Sequence, residues 1–180
     1  MTKAIKVLAF GASNSRASIN QTLAGYAANL LENAEVNLID LNDFEAAIYS
    51  EDREKQSGIP EQAQRFYQLI GDADAVIISL AEHNGSYTAA YKNLFDWTSR
   101  INMQVFQNKP VVYLATSPGP GGAQSVLAAA SGSAPYFAAD VKASVSIPSF
   151  YDNFDVEQQK ITNGELADQV ASAVAQLTES

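Results

Sequence analysis

The chain has 180 residues, of which 47% are hydrophobic and 17% charged, and it carries a net charge of −9. This length and balance predict one globular domain over residues 1–180, and the acidic charge disfavours nucleic-acid binding, which needs a basic face. With no cysteine and one histidine, the sequence excludes disulfides, cysteine-based metal sites and multi-histidine metal sites. No apolar run approaches the roughly 18 residues of a membrane span, so we expect no membrane partner and a cytoplasmic location.

Five short apolar segments predict β-strands along the chain. The first, third and fourth consist almost entirely of apolar residues, which is typical of parallel strands buried on both faces. The second and fifth alternate apolar and polar residues, and the second suits an edge strand. The five segments are Ile5–Phe10, Val36–Leu41, Ala75–Ala81, Val111–Thr116 and Val141–Ile147.

Apolar residues spaced three and four apart predict helices between and after these strands. Segment Glu45–Gly58 is strongly charged and has no apolar period, so we expect an exposed loop there. Trp97 lies on the apolar face of the third helix and is expected in the core. Strand and helix alternate five times, which predicts a parallel sheet with helices on both faces. The predicted helices begin near Ile19, Pro60, Tyr91, Val126 and Gly164.

Unusual loops follow the first, third and fourth predicted strands. In an open α/β sheet, ligands bind outside the carboxyl ends of the strands, near the point where the strand order reverses. All three loops fall at that edge, so we expect the ligand site there.

The first of these loops, Gly11–Asn20, is rich in serine and asparagine and enters a helix. Its hydroxyl and amide groups can donate to a phosphate, the helix N-terminus favours an anion, and Arg16 adds positive charge. It is not a Walker loop, because no Gly-Lys-Ser/Thr follows, and it has too few glycines for a dinucleotide fingerprint. Composition alone leaves a second interpretation open, in which Ser18 or Asn20 caps the helix and the loop is a solvated turn.

The second loop, Glu82–Tyr87, contains an Asn-Gly pair. Asn-Gly often forms a tight hairpin turn, but here a helical pattern follows, which favours a close approach of another group to the backbone at Gly85. His83 could act as a general acid or base, although a lone loop histidine favours a surface or ring-packing role.

The third loop, Ser117–Gly122, has glycine at three of its last four positions. A bare backbone of this kind suits contact with a flat ring or the start of a helix. An ordinary strand-to-helix turn is the alternative.

All three loops resemble segments of the NADPH-dependent FMN reductase family, which includes quinone, azo-dye and chromate reductases. The first is similar to the family's Gly-Ser-x-Arg-x-x-Ser-x-Asn phosphate loop. Segment Ala81–Arg100, AEHNGSYTAAYKNLFDWTSR, resembles its Pro-Glu-Tyr-Asn-Gly-Ser-x-Pro…Leu-Lys-Asn-x-x-Asp-Trp signature, and the third loop resembles its Ser-x-Gly-Gly turn. The likeness extends over essentially the whole chain.

The resemblance implies a flavodoxin-like α/β three-layer sandwich with a five-stranded parallel sheet of order 2-1-3-4-5. It also implies non-covalently bound FMN, with the first loop around the phosphate and the other two loops beside the ring. No residue receives a catalytic or metal-binding role. The implied cofactor-binding residues are Ser13, Ser15, Arg16, Ser18, Ile19, Asn20, Glu82, His83, Asn84, Gly85 and Ser117.

The chain departs from the family pattern at four places. Ala81-Glu82-His83 replaces Pro-Glu-Tyr, so an imidazole replaces a phenol beside the ring, and Thr88 replaces the later proline. The first loop is one residue longer than usual before Arg16, and Ala12 replaces a serine. None of these changes removes a backbone donor, so they bear on substrate preference and flavin potential rather than on FMN binding.

The implied activity is hydride transfer from NADH or NADPH to FMN, and then electron transfer to a small molecule: a quinone, an azo compound, a metal oxyanion or a free flavin. The resemblance also implies a homodimer or homotetramer with the helix after the second loop at an interface. A flavodoxin-type electron carrier and a non-redox protein binding another phosphate compound remain open as alternatives. The signature in Ala81–Arg100 favours the reductase.

Overall fold

A computed structural model describes residues 3–178. Seven helices and seven strands lie in this range, together with two short 3-10 helices at Leu41–Phe44 and Ala134–Phe137. The helices are α1 (Ile19–Asn29), α2 (Glu51–Ser57), α3 (Glu61–Asp72), α4 (Ala89–Ile101), α5 (Gln124–Ser133), α6 (Phe150–Asn153) and α7 (Gly164–Ala175). The strands are β1 (Ile5–Ala12), β2 (Ala34–Leu38), β3 (Ala75–Leu80), β4 (Pro110–Thr116), β5 (Asp140–Ile147), β6 (Phe154–Asp155) and β7 (Lys160–Ile161).

The five long strands form one parallel sheet of order β2-β1-β3-β4-β5, so the predicted fold and strand order are confirmed. Strands β3 and β4 are buried almost throughout because helices cover both faces of the sheet. Strands β2 and β5 form the edges, and a register shift between Val111 and Val112 marks a bulge where β4 pairs with β5. The strands β6 and β7 make a separate antiparallel pair.

Two apolar cores lie on opposite faces of the sheet, because alternate residues of each strand point to opposite sides. Leu8 and Phe10 of β1 pack on the face covered by α3, α4 and α5. Val7 and Ala9 pack on the other face, against α1 and α7. Trp97 lies in the first of these cores and is 1% exposed, as expected from its position on the helix.

The second strand is shorter than predicted. It ends at Leu38, whereas the sequence pattern predicted a strand over Val36–Leu41. Asp40 accepts a hydrogen bond from the amide of Asn42 and starts a 3-10 turn that buries Leu41 and Phe44. The apolar residues at the end of the predicted strand therefore belong to a turn that covers the core.

The prediction of a loop over Glu45–Gly58 is wrong in its second half, where α2 forms. Helix α2 buries none of its residues, so it leaves no apolar period in the sequence. Its ends carry stabilising features: Ser50 accepts from the amide of Arg53, three acidic residues occupy the first turn, and Gly58 closes the helix at φ 72°. Glu54 also pairs with Arg100 of α4. Such caps and charges stabilise a helix without burial.

The segment before α2 is attached to α4 by side chains of the helix. The amide of Asn93 accepts from Tyr49 N–H and donates to the carbonyls of Ala46 and Ala47. The indole N–H of Trp97 donates to the same Ala47 carbonyl at 2.7 Å. Within residues 3–178, no helix is both long and apolar enough to cross a bilayer.

Replacing Asn93 by Ala should lower the free energy of unfolding by about 2–3 kcal/mol, because it removes three hydrogen bonds to backbone groups. Urea denaturation measures the change. The matched control is Asn102→Ala, since exposed Asn102 makes one local contact, to the Gln104 amide, and its loss should cost about 0.5 kcal/mol or less. Equal effects of the two substitutions would contradict the attachment.

Candidate active site

The loops after β1, β3 and β4 meet around one cavity of about 290 Å³ at the carboxyl ends of the strands. This cavity lies at the sheet edge where we expect the ligand site, beside the point at which the chain passes from β1 to β2 on one side and to β3 on the other. Eight of the eleven predicted binding residues line the cavity: Ser13, Ser15, Ser18, Ile19, Asn20, Glu82, His83 and Ser117. The other lining residues are Ala17, Ala81, Thr116, Pro118 and Tyr151.

The start of α1 supplies amide donors to the cavity. The hydroxyl of Ser18 caps the helix by accepting from the amide of Gln21, so the capping interpretation of the loop is correct for this residue. The first turn of a helix leaves several N–H groups without an intrahelical partner. Ser18 satisfies the amide of Gln21. The amides of Ile19 and Asn20 make no hydrogen bond within residues 3–178, so they stay available to an acceptor outside the helix. Capping and anion binding thus use different groups of one turn.

Asn20 itself has a structural side chain. It is 2% exposed, its amide oxygen accepts from the Ser79 hydroxyl at 2.7 Å and from the Thr116 amide at 3.1 Å, and its amide nitrogen donates to the Thr116 carbonyl. The side chain therefore joins the start of α1 to the ends of β3 and β4. Its backbone N–H, and not its side chain, is the group it can offer to a ligand.

Arg16 is exposed and does not line the cavity. It forms no ion pair and no side-chain hydrogen bond with residues 3–178, so its guanidinium has no partner among the described residues. The Ser13 hydroxyl accepts from the amide of Ser15 at 3.1 Å and so shapes the loop that carries Arg16.

The loop after β3 forms a tight turn. His83 and Ser86 exchange two backbone hydrogen bonds, of 3.0 and 3.2 Å, around Asn84 and Gly85. Both central residues have positive φ, 54° and 76°, as type I′ turns require. No protein atom lies within 4 Å of where a Cβ on Gly85 would be, so the described residues do not make the expected close approach. The glycine is needed for its backbone conformation.

This turn decides which amides can act as donors. The N–H of His83 is bonded to Ser86, whereas those of Asn84 and Gly85 lie outside that pairing and make no hydrogen bond within residues 3–178. Asn84 and Gly85 stand beyond the lining of the cavity, and exposed His83 stands at its edge. The His83 ring makes no hydrogen bond to the described residues, which agrees with the expected surface position.

Glu82 caps a neighbouring helix. Its carboxylate accepts from the amide of Val126 at 2.9 Å, in the first turn of α5, whose own N-cap residue Ala123 provides no side-chain acceptor. A carboxylate at a helix N-terminus is stabilised by the unpaired amides and the helix dipole. Glu82 therefore fixes the loop after β3 to α5. The N-terminus of α5 offsets the negative charge of Glu82, which borders the cavity.

The loop after β4 is held by hydrogen bonds from Ser146, near the end of β5, and from Ser149, which follows that strand. Ser117 donates its hydroxyl to the Gly119 carbonyl, which also accepts from the amide of Ser149. A Cβ on Gly122 would collide with the Ser146 hydroxyl, which donates to the Gly122 carbonyl. Gly122 thus allows close contact with the end of β5 and with Pro148, and the segment that follows brings Tyr151, 65% exposed, to the cavity rim. No motif in the sequence pointed to Tyr151.

Thr88, which replaces the family's proline, joins the site to the sheet. It is 1% exposed, donates to the carbonyl of Ala12 at 2.8 Å and caps α4 by accepting from Tyr91 N–H. A proline could do neither. This departure therefore adds a hydrogen bond between the end of β1 and the start of α4.

The donor set fits a phosphate ester with a larger flat group attached. Unpaired amides of a helix start and serine hydroxyls border one end of the cavity, and the loop that lines it carries exposed Arg16, a combination that suits phosphate. The volume is near the lower limit of about 300 Å³ for small-molecule pockets. A ligand of FMN's size would extend past the mouth, towards His83 and Tyr151.

Replacing Asn20 by Ala should lower the free energy of unfolding by about 2–4 kcal/mol, because it leaves the buried Thr116 amide and carbonyl and the Ser79 hydroxyl without a partner. Ser79→Ala is the matched control: it removes one bond and keeps the two to Thr116, so about 1 kcal/mol is expected. Urea denaturation compares the two variants. A smaller loss for Asn20→Ala than for Ser79→Ala would refute the bridging role.

Comparison with known proteins supports the resemblance. Residues 5–152 match the model of the NADPH-dependent FMN reductase family. A 2-hydroxy-1,4-benzoquinone reductase from a Burkholderia species is 34% identical over 64% of this chain, and an NAD(P)H-dependent FMN reductase from Pseudomonas aeruginosa is 32% identical over 66%. The aligned parts span 62% and 63% of those two relatives.

Among solved structures, a flavoenzyme NAD(P)H:(acceptor) oxidoreductase from Paracoccus denitrificans has the same fold. It superposes with a TM-score of 0.74, is 24% identical and covers 97% of both chains. The family match includes β1 to β5 and all three loops of the cavity. The chain belongs to the NADPH-dependent FMN reductase family.

Proposed function

We propose that the chain binds FMN in the cavity at the carboxyl ends of β1, β3 and β4 and acts as an NAD(P)H oxidoreductase. One observation carries the proposal: three loops far apart in the sequence converge on a single cavity. Asn20 and Thr116, for example, are 96 positions apart and hydrogen-bonded. These are the loops whose sequences resemble the cofactor segments of the family.

In this proposal the first loop holds the phosphate. The amides of Ile19 and Asn20 donate from the first turn of α1, and the hydroxyls of Ser13, Ser15 and Ser18 surround the same end of the cavity. Arg16 closes over the anion from the mouth and supplies positive charge that an acidic chain otherwise lacks at this place.

The other two loops position the ring. The amides of Asn84 and Gly85 are preorganised donors, because the turn between His83 and Ser86 fixes their direction, and such donors stabilise negative charge that develops beside them. Glu82 holds this turn in place through α5, and Ser117 lies on the opposite wall. His83 and Tyr151 limit the open side to small, flat reactants.

FMN, when bound, supplies the redox chemistry: it accepts a hydride from NADH or NADPH and gives electrons to a quinone, an azo compound, a metal oxyanion or a free flavin. The chain's own residues bind and orient, and we assign no protein acid–base catalyst. The names of the relatives support this assignment, since they denote quinone and FMN reductases. Nothing in the comparisons supports a carrier without nicotinamide turnover.

Reconstitution with FMN tests the proposal. The purified protein should take up FMN and show a flavin visible spectrum, and it should oxidise NADH or NADPH in steady state when benzoquinone is present. Ping-pong kinetics are expected, because donor and acceptor must use the same open side in turn. Flavin uptake without turnover would indicate an electron carrier, and a protein that takes up no flavin would refute the proposal.

Arg16→Ala should raise the FMN dissociation constant about 10- to 100-fold, or about 1.5–3 kcal/mol, through loss of a charge-assisted contact. Lys160→Ala is the control, because it removes the same charge from an exposed residue on β7 that does not line the cavity. Fluorescence titration of FMN measures both. Equal effects would show that Arg16 acts through net charge alone.

We further propose that the chain acts in the cytoplasm as a homodimer or homotetramer that uses α4 at an interface. Exposed Met103, which follows α4 closely, supports an interface on this side. Sedimentation equilibrium measures the subunit number.

A further inference from the structure

Tyr151 is an exposed aromatic residue at the rim of the loop cavity, and it lies outside the three loops that form the rest of the site. A single exposed ring on a protein surface needs no explanation by itself. This ring differs from an ordinary surface residue in two respects. It lines the cavity that we assign to FMN, and its backbone is held in place by the neighbouring loop.

Hydrogen bonds fix the backbone on either side of the Tyr151 ring. The amide of Ser149 donates to the carbonyl of Gly119 at 2.9 Å, and the amide of Phe150 donates to the carbonyl of Ser117 at 3.0 Å. Phe150 is buried, and its ring meets that of Tyr151 edge to face at 5.3 Å. The ring of Tyr151 therefore stands on a turn that is attached to the loop after β4.

The same segment runs beside α1. Phe150 packs in the core on the face of the sheet that α1 and α7 cover, and Phe154 meets the ring of Tyr26 of α1 edge to face at 5.7 Å. Tyr151 thus stands between the loop after β4 and α1, whose first turn lines the same cavity. Helix α4 packs on the opposite face of the sheet, so an interface through α4 does not require Tyr151.

This position bears on the phosphate end of the cavity, because the start of α1 is the part that suits a phosphate. FMN ends at its phosphate, whereas FAD continues from that phosphate through a second phosphate to adenosine. The cavity, of about 290 Å³, has no room for this continuation. A dinucleotide would have to leave it past the rim, where the ring of Tyr151 narrows the way out.

The charge beside Tyr151 also opposes a dinucleotide. Asp152 is exposed and forms no ion pair with residues 3–178. The phosphate monoester of FMN keeps both of its negative charges at the start of α1, whereas FAD places one charge on the second phosphate, next to the rim. A nearby carboxylate repels that charge. Arg16 attracts either flavin and does not distinguish them.

We propose that Tyr151, assisted by Asp152, makes the loop cavity select FMN over FAD. The ring obstructs the path of the second phosphate and the adenosine, and the carboxylate repels the second phosphate. Specificity of this kind comes from contacts that disfavour the wrong ligand. The inference rests on the proposed function, since it concerns the same cavity and the same cofactor.

Calorimetric titration of the full chain, freed of any bound flavin, tests this selection with FMN, FAD and riboflavin. The unmodified protein should bind FMN about tenfold or more tightly than FAD. Tyr151→Ala should reduce that ratio about fivefold or more, mainly by tightening FAD binding. Its affinity for riboflavin, which has no phosphate, should stay unchanged. Val156→Ala is the control, because Val156 is 50% exposed on the same segment and does not line the cavity.

Two further variants separate the ring from the charge. Tyr151→Phe keeps the ring and should keep the preference of the unmodified protein. Asp152→Asn removes the charge and should tighten FAD binding about twofold, as expected for an exposed charge pair. This gain should disappear at about 1 M salt, which screens exposed charges. Loss of the preference in Tyr151→Phe would contradict an obstruction by the ring.

The three flavins distinguish failure of this inference from failure of the proposed function. Equal affinities of the unmodified protein for FMN and FAD, or an unchanged ratio in Tyr151→Ala, would overturn the selection by Tyr151 and leave FMN as the cofactor. A loss of riboflavin affinity in Tyr151→Ala as large as the loss of FMN affinity would also overturn it, because Tyr151 would then contact the flavin ring. No uptake of any flavin by protein with a native thermal transition would refute both proposals.

Discussion

The side-chain amide of Asn20 is the contact on which the candidate site depends. Through Ser79 and Thr116 it joins the start of α1 to the carboxyl ends of β3 and β4, in a place that water does not reach. In that low-dielectric setting the hydrogen bonds are strong and an unpaired group would be costly. The loops after these strands therefore start from fixed positions, and loops fixed at their base can present a preorganised set of amide donors.

Thr88 and Glu82 extend this arrangement. Thr88 bonds the end of β1 to the start of α4, and Glu82 bonds the turn after β3 to the start of α5. Glu82 satisfies the N-terminus of α5 from a different segment, whereas Thr88 caps its own helix and binds β1. Helix ends and loop positions are therefore set together.

The sequence predicts the sheet, its order and the edge that holds the site, because buried strands and apolar helix faces leave periodic patterns and the family resemblance supplies the order. It does not predict α2, which buries nothing and is stabilised by its ends. The turn at Asn84 and Gly85 shows a second limit of prediction from sequence. Asn-Gly is typical of a tight hairpin turn, but because a helix follows the pair, we expected a close approach of another group at Gly85 instead. Tyr151 is missed because it comes from a segment after β5, and proximity of that kind depends on tertiary contacts such as that of Ser149 with Gly119.

The two edge strands described above bear on how copies of this chain can meet. An edge strand exposes unpaired backbone groups that can pair with another chain, and natural proteins block this with short, charged or bulged edges. Strand β2 has five residues, of which Glu35 is exposed, and β5 carries the Lys142–Asp140 ion pair beside the bulge at Val111. Both edges therefore oppose continuation of the sheet into a neighbouring molecule. Contacts between copies of this chain are therefore favoured on its helical faces over its sheet edges, and aggregation through strand addition is disfavoured from the folded state.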